Sequence, residues 1–406
     1  MTNIRHLVMI SPACGGAGAV ANVARHQARE LARYFQVTLV SDSFPATGLK
    51  GVTLQSLHPP RFDWLRRYGH VPRELAFALS AKSALRRLHA RGGVDVVLCH
   101  GHPVTALAAG PLGRRLGIPC VMVTHGDIFD RPKGTYDPRL TWFYRRVTPP
   151  AYRRTDLVIA LSPHMASLAK RGGALPERVV VIPNGIDPAE IGLVDDPYPR
   201  ARPASARLEL LYVGRLSIEK GVDVLIGSAG LLTANGVAYR LRIVGAGPEE
   251  DRLRLLVARS ELDGAVEFLG PVPRLALGAL YRSADVVCVP SRSDTLPTVV
   301  LEALASGRPV LGTDVGGIPF MVNHGQTGWL VPPGDPSALA DRVQRIAVDP
   351  LALSEMSLAA RLEAAKRFNW EDIGTQLSGW ITSILDKKSD LVESGRSDTR
   401  GLENLD

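Results

Sequence analysis

Short apolar runs alternate with amphipathic segments along most of this chain of 406 residues. Runs so continuous in Val, Ile and Leu are typical of parallel strands that helices cover on both faces. The runs of the first half read HLVMIS, QVTLVS, DVVLCH, PCVMVTH, DLVIALS and RVVVIPN, and those of the second half read LELLYVG, YRLRIVG, AVEFLG, DVVCVP and PVLGT. The alternation predicts an α/β protein with doubly wound parallel sheets.

One segment interrupts this alternation. Over residues 191–207, Pro and charged residues replace the periodic pattern, which indicates a linker. We therefore predict two Rossmann-like domains, 1–190 and 208–370, that face a central cleft and bind ligands at the carboxyl ends of their strands. An amphipathic stretch predicts a C-terminal helix over 371–386 that packs back on the first domain, and the polar residues 387–406 predict a disordered tail.

Cysteine usage and hydropathy limit where the chain can work. Its four cysteines are scattered without a C-x-x-C pair, which favours a reducing compartment over a disulfide framework. No apolar stretch comes near the roughly 18 residues that a membrane span requires. We expect a cytoplasmic protein that does not cross a membrane.

Charge is divided unevenly between the two halves. Residues 1–190 hold 25 Lys and Arg against 12 Asp and Glu, a net charge of +13, and the remainder holds 23 against 28, a net charge of −5. An electrostatic partner of the first half should therefore be anionic. Nucleic acid, acidic lipid headgroups and a phosphate-bearing substrate are all candidates on this observation alone.

Two cations follow the first strand of the second domain. In LLYVGRLSIEKG, Arg215 and Lys220 stand in the loop between that strand and a helix. At the carboxyl end of a strand they are well placed to hold a diphosphate through charge-assisted hydrogen bonds. A solvated loop with a salt bridge to Glu219 explains the same pattern, and both interpretations stay open for this motif alone.

Two carboxylates eight positions apart flank a predicted helix start in SRSDTLPTVVLEA. Pro297 suits the first helical position, so the N–H groups of Thr298 and Val299 would form an anion site at the helix N-terminus. Asp294 would lie before that site and Glu302 just over one turn into the helix, where a carboxylate can accept from a vicinal diol such as a ribose. A helix cap for the aspartate and an exposed helix position for the glutamate are the structural alternatives.

The second half resembles the donor domain of retaining glycosyltransferase family 4, which has the GT-B fold. The resemblance rests on VGRLSIEKG, RIVGAGPEEDRL, VEFLGPVP, ADVVCVPSRSDTLPTVVLEALASGRPVLGTDVGGIP and NHGQTGWLVPPGDPSALA, in this order and spacing. The first half is similar through CGGAGAVANVARHQARELA, VTHGD, VIALSPHMASLAKRG and VVVIPNGID. Together these segments cover the chain to about residue 385.

The resemblance implies roles for the donor-domain residues. Arg215 and Lys220 match the pair that neutralises the diphosphate of a nucleotide-sugar, and Glu302 matches the second Glu of the Glu-x₇-Glu motif, which binds the ribose. Asp294 replaces the first Glu, which is expected next to the hydroxyls of the donor sugar. Thr295 and Phe320 also depart from the pattern, in place of the usual Gly and Glu, at positions where the resemblance implies contacts with the donor.

The first domain supplies three further candidates. Gly15 and Gly16 follow the opening strand, where the lack of a Cβ lets backbone approach a phosphate, although a flexible loop explains them equally well. His125, in VMVTHGD, matches the active-site His that is thought to contact the transferred sugar or the leaving phosphate. A hydrogen-bonded structural histidine is the alternative for this strand-end position.

The basic first domain also contains aromatic residues. Arg is mixed with Trp, Tyr, Phe and Leu in RFDWLRRYGHVPRELAFALSAKSALRRLHARGG and in RLTWFYRRVTPPAYRR. Such segments suit peripheral docking on anionic lipid, and they equally suit a solvated Arg-rich face over core aromatics. Residues 99–102, CHGH, offer potential metal ligands, but no second pair accompanies them.

These observations favour a retaining glycosyltransferase that moves a sugar from a nucleotide-sugar to a glycan or lipid-linked acceptor. By resemblance it needs no metal and no cofactor, and nucleic acid is not a partner. Two alternatives remain: a sugar-nucleotide epimerase or phosphorylase of the same fold, and a non-catalytic protein that binds sugar nucleotides or lipid surfaces. The departures at Asp294, Thr295 and Phe320 keep the second one open.

Overall fold

The protein was analysed as a computed structural model that describes residues 4–12, 14–15, 19–45, 47–60, 71–101, 103–125, 138–193 and 207–393. The chain divides into two compact units. The first unit comprises Met1–Leu161, Ala166–Ile182 and Glu371–Asp406, and the second comprises Ser162–Met165 and Pro183–Trp370. The described residues form one parallel sheet in each unit, so the predicted pair of Rossmann-like α/β folds is confirmed.

The first sheet has seven described strands in the order β3-β2-β1-β4-β5-β6-β7, and every neighbouring pair is parallel. The strands are β1 His6–Ile10, β2 Gln36–Ser41, β3 Val52–Ser56, β4 Val96–Gly101, β5 Cys120–Thr124, β6 Leu157–Ala160 and β7 Val179–Val181. All six predicted runs form strands. The sequence analysis missed β3, an edge strand that is only half-buried.

Helices cover this sheet. They are α1 Ala19–Leu31, α2 Val71–Gly92, α3 Pro103–Leu116, α4 Pro138–Arg153 and α5 Pro163–Arg171, with a 3₁₀ turn at Pro176–Arg178. The apolar faces of β1, β4 and β5 lie in a buried core with α2 and α3. Continuous apolar strands therefore occupy the centre of the sheet, as parallel packing requires.

The C-terminal helix, α13, runs from Trp370 to Glu393 and packs on α1 within the first unit. A Cβ at Gly374 would lie 2.5 Å from Cβ of Glu30, so the two helices approach closely there. An ion pair of 2.6 Å between Arg5 and Asp386 also joins this helix to the first unit.

The predicted start of the disordered tail at residue 387 is wrong, because α13 continues to Glu393. The Lys388 ammonium donates to the Gly117 carbonyl oxygen, and the Ser389 hydroxyl bonds the Leu385 carbonyl 3.1 Å away. A polar sequence therefore remains helical where an anchored helix extends into it. The rest of the predicted tail and most of the predicted linker lie outside the described residues.

The second sheet has six described strands in the order β10-β9-β8-β11-β12-β13, again all parallel. They are β8 Leu208–Val213, β9 Tyr239–Val244, β10 Val266–Gly270, β11 Val286–Val289, β12 Val310–Thr313 and β13 Gly328–Val331. The five predicted runs are confirmed. The sequence analysis missed β13, a four-residue strand at the sheet edge.

The helices of the second unit are α6 Val222–Ala234, α7 Glu250–Arg259, α8 Leu277–Ser283, α9 Thr298–Ala305, α10 Ile318–Met321, α11 Pro336–Ala347 and α12 Pro350–Arg367. Short 3₁₀ turns occupy Pro188–Ile191, Ile218–Lys220 and Arg274–Ala276. Each helical segment from α6 to α10 returns the chain to the next parallel strand, so the strand-to-helix loops gather at the carboxyl edge of the sheet. Among the described helices, none is both long and apolar enough to cross a bilayer.

Candidate active site

The loops at the carboxyl edge of the second sheet are packed backbone against backbone. A Cβ at Gly221, which has a φ of +66°, would lie 2.0 Å from the Pro290 carbonyl oxygen. A Cβ at Gly316, with a φ of +57°, would lie 1.7 Å from the Asp294 carbonyl oxygen. Because no side chain fits at either position, these glycines hold the loop after β8 and the loop after β12 against the loop after β11.

This packing brings two predicted site residues into direct contact. The Lys220 Nζ lies 2.5 Å from Oδ2 of Asp294, and the Ser291 hydroxyl is 3.4 Å from the same oxygen. The lysine side chain is 27% exposed and the aspartate side chain 11%. The pair is therefore buried enough to be held in one geometry, yet the cation remains accessible to an anion that competes with the carboxylate.

Arg215 lies where β8 ends, in the same loop as Lys220. The Tyr212 hydroxyl donates to the Arg215 carbonyl oxygen at 2.8 Å, and the Leu216 amide donates to the Ala246 carbonyl at 3.0 Å. These bonds fix the backbone on both sides of an exposed guanidinium. The loop therefore presents one paired cation and one exposed cation from the same strand end.

The helix that carries the second carboxylate begins one residue later than predicted. Pro297 is the N-cap of α9, with extended backbone dihedrals, and Thr298 is the first helical residue. The correction follows from the hydrogen bonds, because the Pro297 carbonyl already accepts from the Val300 amide at 3.0 Å. The N–H groups of Thr298 and Val299 have no acceptor within the helix, and both residues are half-buried, as an anion site requires.

Glu302 is buried, so the exposed-helix alternative for this residue is excluded. Its Oε2 accepts a hydrogen bond of 2.7 Å from the Tyr281 hydroxyl, and its Oε1 lies 3.0 Å from Nη1 of Arg274. Burial raises the pKa of the Glu302 carboxyl, while Arg274 and the tyrosine hydroxyl act to lower it. Arg274 is itself 42% exposed and lies 3.6 Å from Glu190.

The sequence analysis missed both partners of Glu302. Tyr281 precedes β11 within α8, and Arg274 opens the preceding 3₁₀ turn. They stand 21 and 28 positions before the glutamate, and no local pattern links residues so far apart. A diol can bind the lone pairs of the Glu302 carboxylate that these two contacts leave open, or it can replace the partly exposed arginine more easily than the buried tyrosine.

The two other departures from the family pattern have structural partners. The Thr295 carbonyl lies against Gly317, where a Cβ would be 1.9 Å from the oxygen. The Phe320 ring lies beneath the guanidinium of Arg367, 4.8 Å from its Cζ, and the Phe320 carbonyl accepts from the same guanidinium at 2.8 Å. Phe320 thus anchors a cation, where the family pattern has a carboxylate.

The first-unit candidates also lie at a carboxyl strand edge. The Gly15 amide donates to the Ser43 hydroxyl at 3.3 Å, and a Cβ at Gly15 would lie 2.7 Å from the Phe44 carbonyl oxygen. The close approach of the loop that follows β2 therefore explains this glycine by itself. Gly16 lies outside the described residues.

His125, directly after β5, contacts a second histidine that the sequence analysis considered only as a metal ligand. Its Nε2 lies 2.9 Å from Nδ1 of His100, and the two ring centroids are 5.2 Å apart. His100, in β4, is buried, and burial with a smaller contribution from His125 holds its pKa well below the ordinary value. Across the described residues, no group of three or more potential metal ligands occurs, and His102 lies outside them.

Family models match both units. The model described as Glycosyl transferases group 1 matches residues 200–367, and the model described as Glycosyltransferase Family 4 matches residues 17–190. A relative described as a colanic acid biosynthesis glycosyltransferase, WcaL of Salmonella typhimurium, is 32% identical over 329 residues, which are 78% of this chain and 77% of the relative. This chain belongs to the group 1 glycosyltransferases.

Solved structures agree on the fold of this glycosyltransferase. Sucrose-phosphate synthase from Thermosynechococcus elongatus superposes with a TM-score of 0.78 at 22% identity, over 94% of this chain and all of the other. Anabaena HepE in complex with UDP-glucose superposes with a TM-score of 0.71 at 20% identity, over 93% of this chain and 99% of the other. The chain thus has the GT-B type of paired Rossmann-like domains. Its sequence relatives are named glycosyltransferases, so it is an enzyme, and the epimerase, phosphorylase and non-catalytic alternatives are not favoured.

Proposed function

We propose that this glycosyltransferase binds the diphosphate of a nucleotide-sugar between Lys220, Arg215 and the N-terminus of α9. The observation that carries the proposal is the Lys220–Asp294 pair, a cation of fixed position at the end of β8. A diphosphate brings two or more negative charges and offers Lys220 a stronger partner than one carboxylate. The first N–H groups of α9, at Thr298 and Val299, would complete the anion site.

The Asp294 carboxylate would bind the donor sugar after the phosphates displace it from Lys220. Once the phosphates hold Lys220, the Asp294 oxygens become acceptors for hydroxyl groups of the donor sugar. Asp is one methylene shorter than the Glu of the family motif, and it reaches Lys220 at 2.5 Å from this position. The aspartate would thereby couple phosphate binding to orientation of the sugar.

Glu302 would bind the ribose of the nucleotide. It lies on the second turn of α9, the helix whose N-terminus faces the phosphates, and its buried carboxylate is fixed by Tyr281. A ribose diol supplies two donors and can replace the guanidinium of Arg274 on Oε1. Exclusion of water from this carboxylate would make its hydrogen bonds to the nucleotide specific.

Transfer of the sugar leaves a nucleoside diphosphate whose charge grows as the glycosidic bond breaks. Lys220, Arg215 and the α9 N-terminus would stabilise that charge without a metal ion. By the family resemblance alone, His125 of the first unit would contact the transferred sugar or the leaving phosphate, and Gly15 and Gly16 would let backbone approach the donor. We further propose retention of anomeric configuration, which follows the family resemblance.

Relatives support the donor and acceptor classes. HepE was solved with UDP-glucose, and WcaL is described as a colanic acid biosynthesis glycosyltransferase. A UDP-hexose is therefore the first donor to test, and a growing glycan or a lipid-linked sugar is the acceptor class that we propose.

The experiment for this proposal offers UDP-, GDP- and ADP-sugars with lipid-linked and short glycan acceptors, and measures nucleoside diphosphate release. One donor class should be turned over, in EDTA as well as in buffer, and proton NMR of the product should show the anomeric configuration of the donor. Loss of turnover in EDTA would contradict the metal-free site. An inverted product would contradict retention, and donor binding without turnover under every condition would contradict the assigned reaction.

Peripheral contact with anionic membrane is a separate proposal about the first unit. Trp142 on α4 is 60% exposed, and the guanidinium of Arg146 lies 5.0 Å from the centre of its ring. The Tyr144 hydroxyl donates to Glu74 at 2.5 Å, so α4 lies beside the start of α2, and Leu79 in the third turn of α2 is 65% exposed. Exposed apolar side chains beside basic ones suit the headgroup region of an anionic bilayer.

Vesicle flotation tests this surface. The enzyme should float with phosphatidylglycerol vesicles and not with phosphatidylcholine vesicles, and Trp142→Glu should abolish the difference. Trp380→Glu is the matched control, because Trp380 is an exposed tryptophan on a different helix, α13. Equal flotation of wild type and Trp142→Glu would contradict the proposal.

A further inference from the structure

His100 and His125 stand at the ends of neighbouring strands with one ring nitrogen of each in contact. In the β4–β5 register His100 lies opposite Val123, and His125 follows two residues later. The 2.9 Å separation of Nδ1 of His100 and Nε2 of His125 is a hydrogen-bond distance. One of these two nitrogens, and not both, must therefore carry the proton that lies between them.

The surroundings of His100 determine which of the two contacting nitrogens carries the proton. His100 is 1% exposed, and its other nitrogen, Nε2, is buried without a hydrogen-bond partner among the described residues. Burial without a counter-charge holds the imidazole neutral, in agreement with its strongly lowered pKa. A neutral His100 has a single N–H, and it can be placed either on Nδ1, towards His125, or on the unpartnered Nε2.

The two placements differ in cost. An N–H on Nε2 would be a buried donor without an acceptor, which proteins rarely tolerate. An unprotonated Nε2 is a buried acceptor without a donor, and its free-energy cost is lower. With the proton on Nδ1, the N–H of His100 is satisfied by His125. The Nδ1–H form of His100 is therefore the stable one.

The structure assigns to His100 the role of a positioning residue that donates from Nδ1 to Nε2 of His125. His125 is thereby held neutral, with its own proton on Nδ1 and with Nε2 occupied as an acceptor. Protonation of His125 on Nε2 would drive the His100 proton onto its unpartnered nitrogen. The inference gives His125 a fixed tautomer, so that it acts on a sugar hydroxyl or phosphate oxygen as a neutral N–H donor and not as a proton carrier.

The role of this donor in catalysis rests on the proposed function of His125, but the tautomer itself can be measured without substrate. We expect long-range ¹H–¹⁵N NMR of the full-length enzyme, labelled with [¹⁵N]histidine, to show His125 protonated on Nδ1 and unprotonated on Nε2. A His125→Gln variant identifies the signals. Protonation of His125 on Nε2, in either the neutral or the charged form, would overturn the inference without any variant of His100.

Two variants of His100 separate a positioning role from a packing role. The amide N–H of His100→Asn can take the place of Nδ1–H, so this variant should keep the Nδ1–H tautomer of His125. His100→Leu fills the space without a donor, so His125 should exchange between tautomers and its two ring-nitrogen signals should move towards each other. An unchanged His125 spectrum in His100→Leu would contradict the inference; if that variant does not fold, the wild-type and His100→Asn spectra still decide.

Activity supplies the second readout. With the donor that the panel identifies, His100→Leu should lose on the order of tenfold in kcat with little change in KM, since the misplaced group acts in the reaction and not in donor binding. His100→Asn should recover most of that loss. Equal losses in both variants would contradict a role through the hydrogen bond. Absence of turnover in the wild type would instead refute the proposed function and leave the NMR result standing.

Discussion

The two units stabilise their buried polar side chains in different ways. In the second unit, Lys220 and Asp294 form an ion pair of 2.5 Å at a partly exposed strand end. In the first unit, the ring nitrogens of His100 and His125 lie 2.9 Å apart, and we infer that the buried His100 is neutral and donates to His125. Charge is stable where a partner or water compensates it, and a fully buried group without a counter-charge becomes neutral.

This difference suggests a division of labour in the reaction. A charged pair can exchange partners, so the Lys220–Asp294 pair suits a ligand that arrives with its own charge. In the His100–His125 pair, the unpartnered Nε2 of His100 fixes the direction of the hydrogen bond, so this pair suits a step in which a donor must stay in place. Experiments that remove one member of either pair test whether these roles are distinct.

The largest effect is expected from Lys220→Ala. Removal of the cation should lower kcat by roughly 10²- to 10³-fold, because its contact with the leaving diphosphate strengthens as charge develops. Steady-state kinetics with the identified donor measures this. Arg254→Ala is the control, since Arg254 pairs with Glu250 on the surface of α7 and should retain full turnover. Near-normal turnover in Lys220→Ala would refute the phosphate site.

Substitution of Gly221, which follows Lys220, should lower the stability of the protein. Gly221→Ala places a Cβ 2.0 Å from the Pro290 carbonyl oxygen at a φ of +66°, so it should lower the free energy of unfolding by about 2–4 kcal/mol. Gly236→Ala is a matched control, because Gly236 has a φ of +70° and open space around it. It should cost only about 1 kcal/mol, the strain of the left-handed backbone. Urea unfolding compares them, and equal costs would show that the loop contact is not tight.

A weaker effect on activity is expected at the ribose position. Glu302→Gln keeps the shape of the side chain but removes the charge that pairs with Arg274 and accepts from the ribose. The KM for the donor should rise about tenfold with kcat nearly unchanged, because the ribose does not take part in the reaction. A fall in kcat at constant KM would place Glu302 at the reacting sugar instead.

The smallest effect concerns stability and pH. Burial raises the pKa of Glu302 above its ordinary value of 4.5, so the folded state binds this proton more tightly than the unfolded chain does. The contribution of Glu302 to stability is therefore greatest below pH 4.5 and is lost as pH rises through the raised pKa. Relative to Glu302→Gln, the wild type should lose stability as the pH rises from 4.5 through the raised pKa of Glu302, as urea unfolding would measure. The opposite slope would show that Arg274 outweighs burial.

The sequence predicted the centre of each sheet better than its edges. Central strands are continuous apolar runs, and all of those that were predicted are present. β3 is a half-buried edge strand with little hydrophobic pattern, and β13 is a mostly buried edge strand of only four residues, too short for a periodic pattern to appear. The helical residues 387–393 were missed for a related reason, because packing of the preceding turns stabilised them and their own composition did not.

The sequence motifs predicted which residues belong to the site, but not which of those residues contact one another. Family spacing indicated Lys220, Asp294 and Glu302, but their mutual contacts depend on tertiary packing. The lysine and the aspartate stand 74 positions apart and meet through backbone packing at glycines. His100 and His125 likewise lie at the ends of two strands. The sequence CHGH alone could not predict their contact, because the contact depends on β4 and β5 being neighbours in the sheet.

The most direct test of the central claim is UDP binding by Asp294→Asn and Lys220→Ala, measured by calorimetry on folded protein. If a diphosphate displaces Asp294 from Lys220, the asparagine variant should bind UDP at least as tightly as the wild type while it loses turnover. Lys220→Ala should bind UDP at least tenfold more weakly, the loss expected for one charge-assisted contact of about 1.5–3 kcal/mol. Equal weakening in both variants would show that the pair is a structural unit and not a phosphate site.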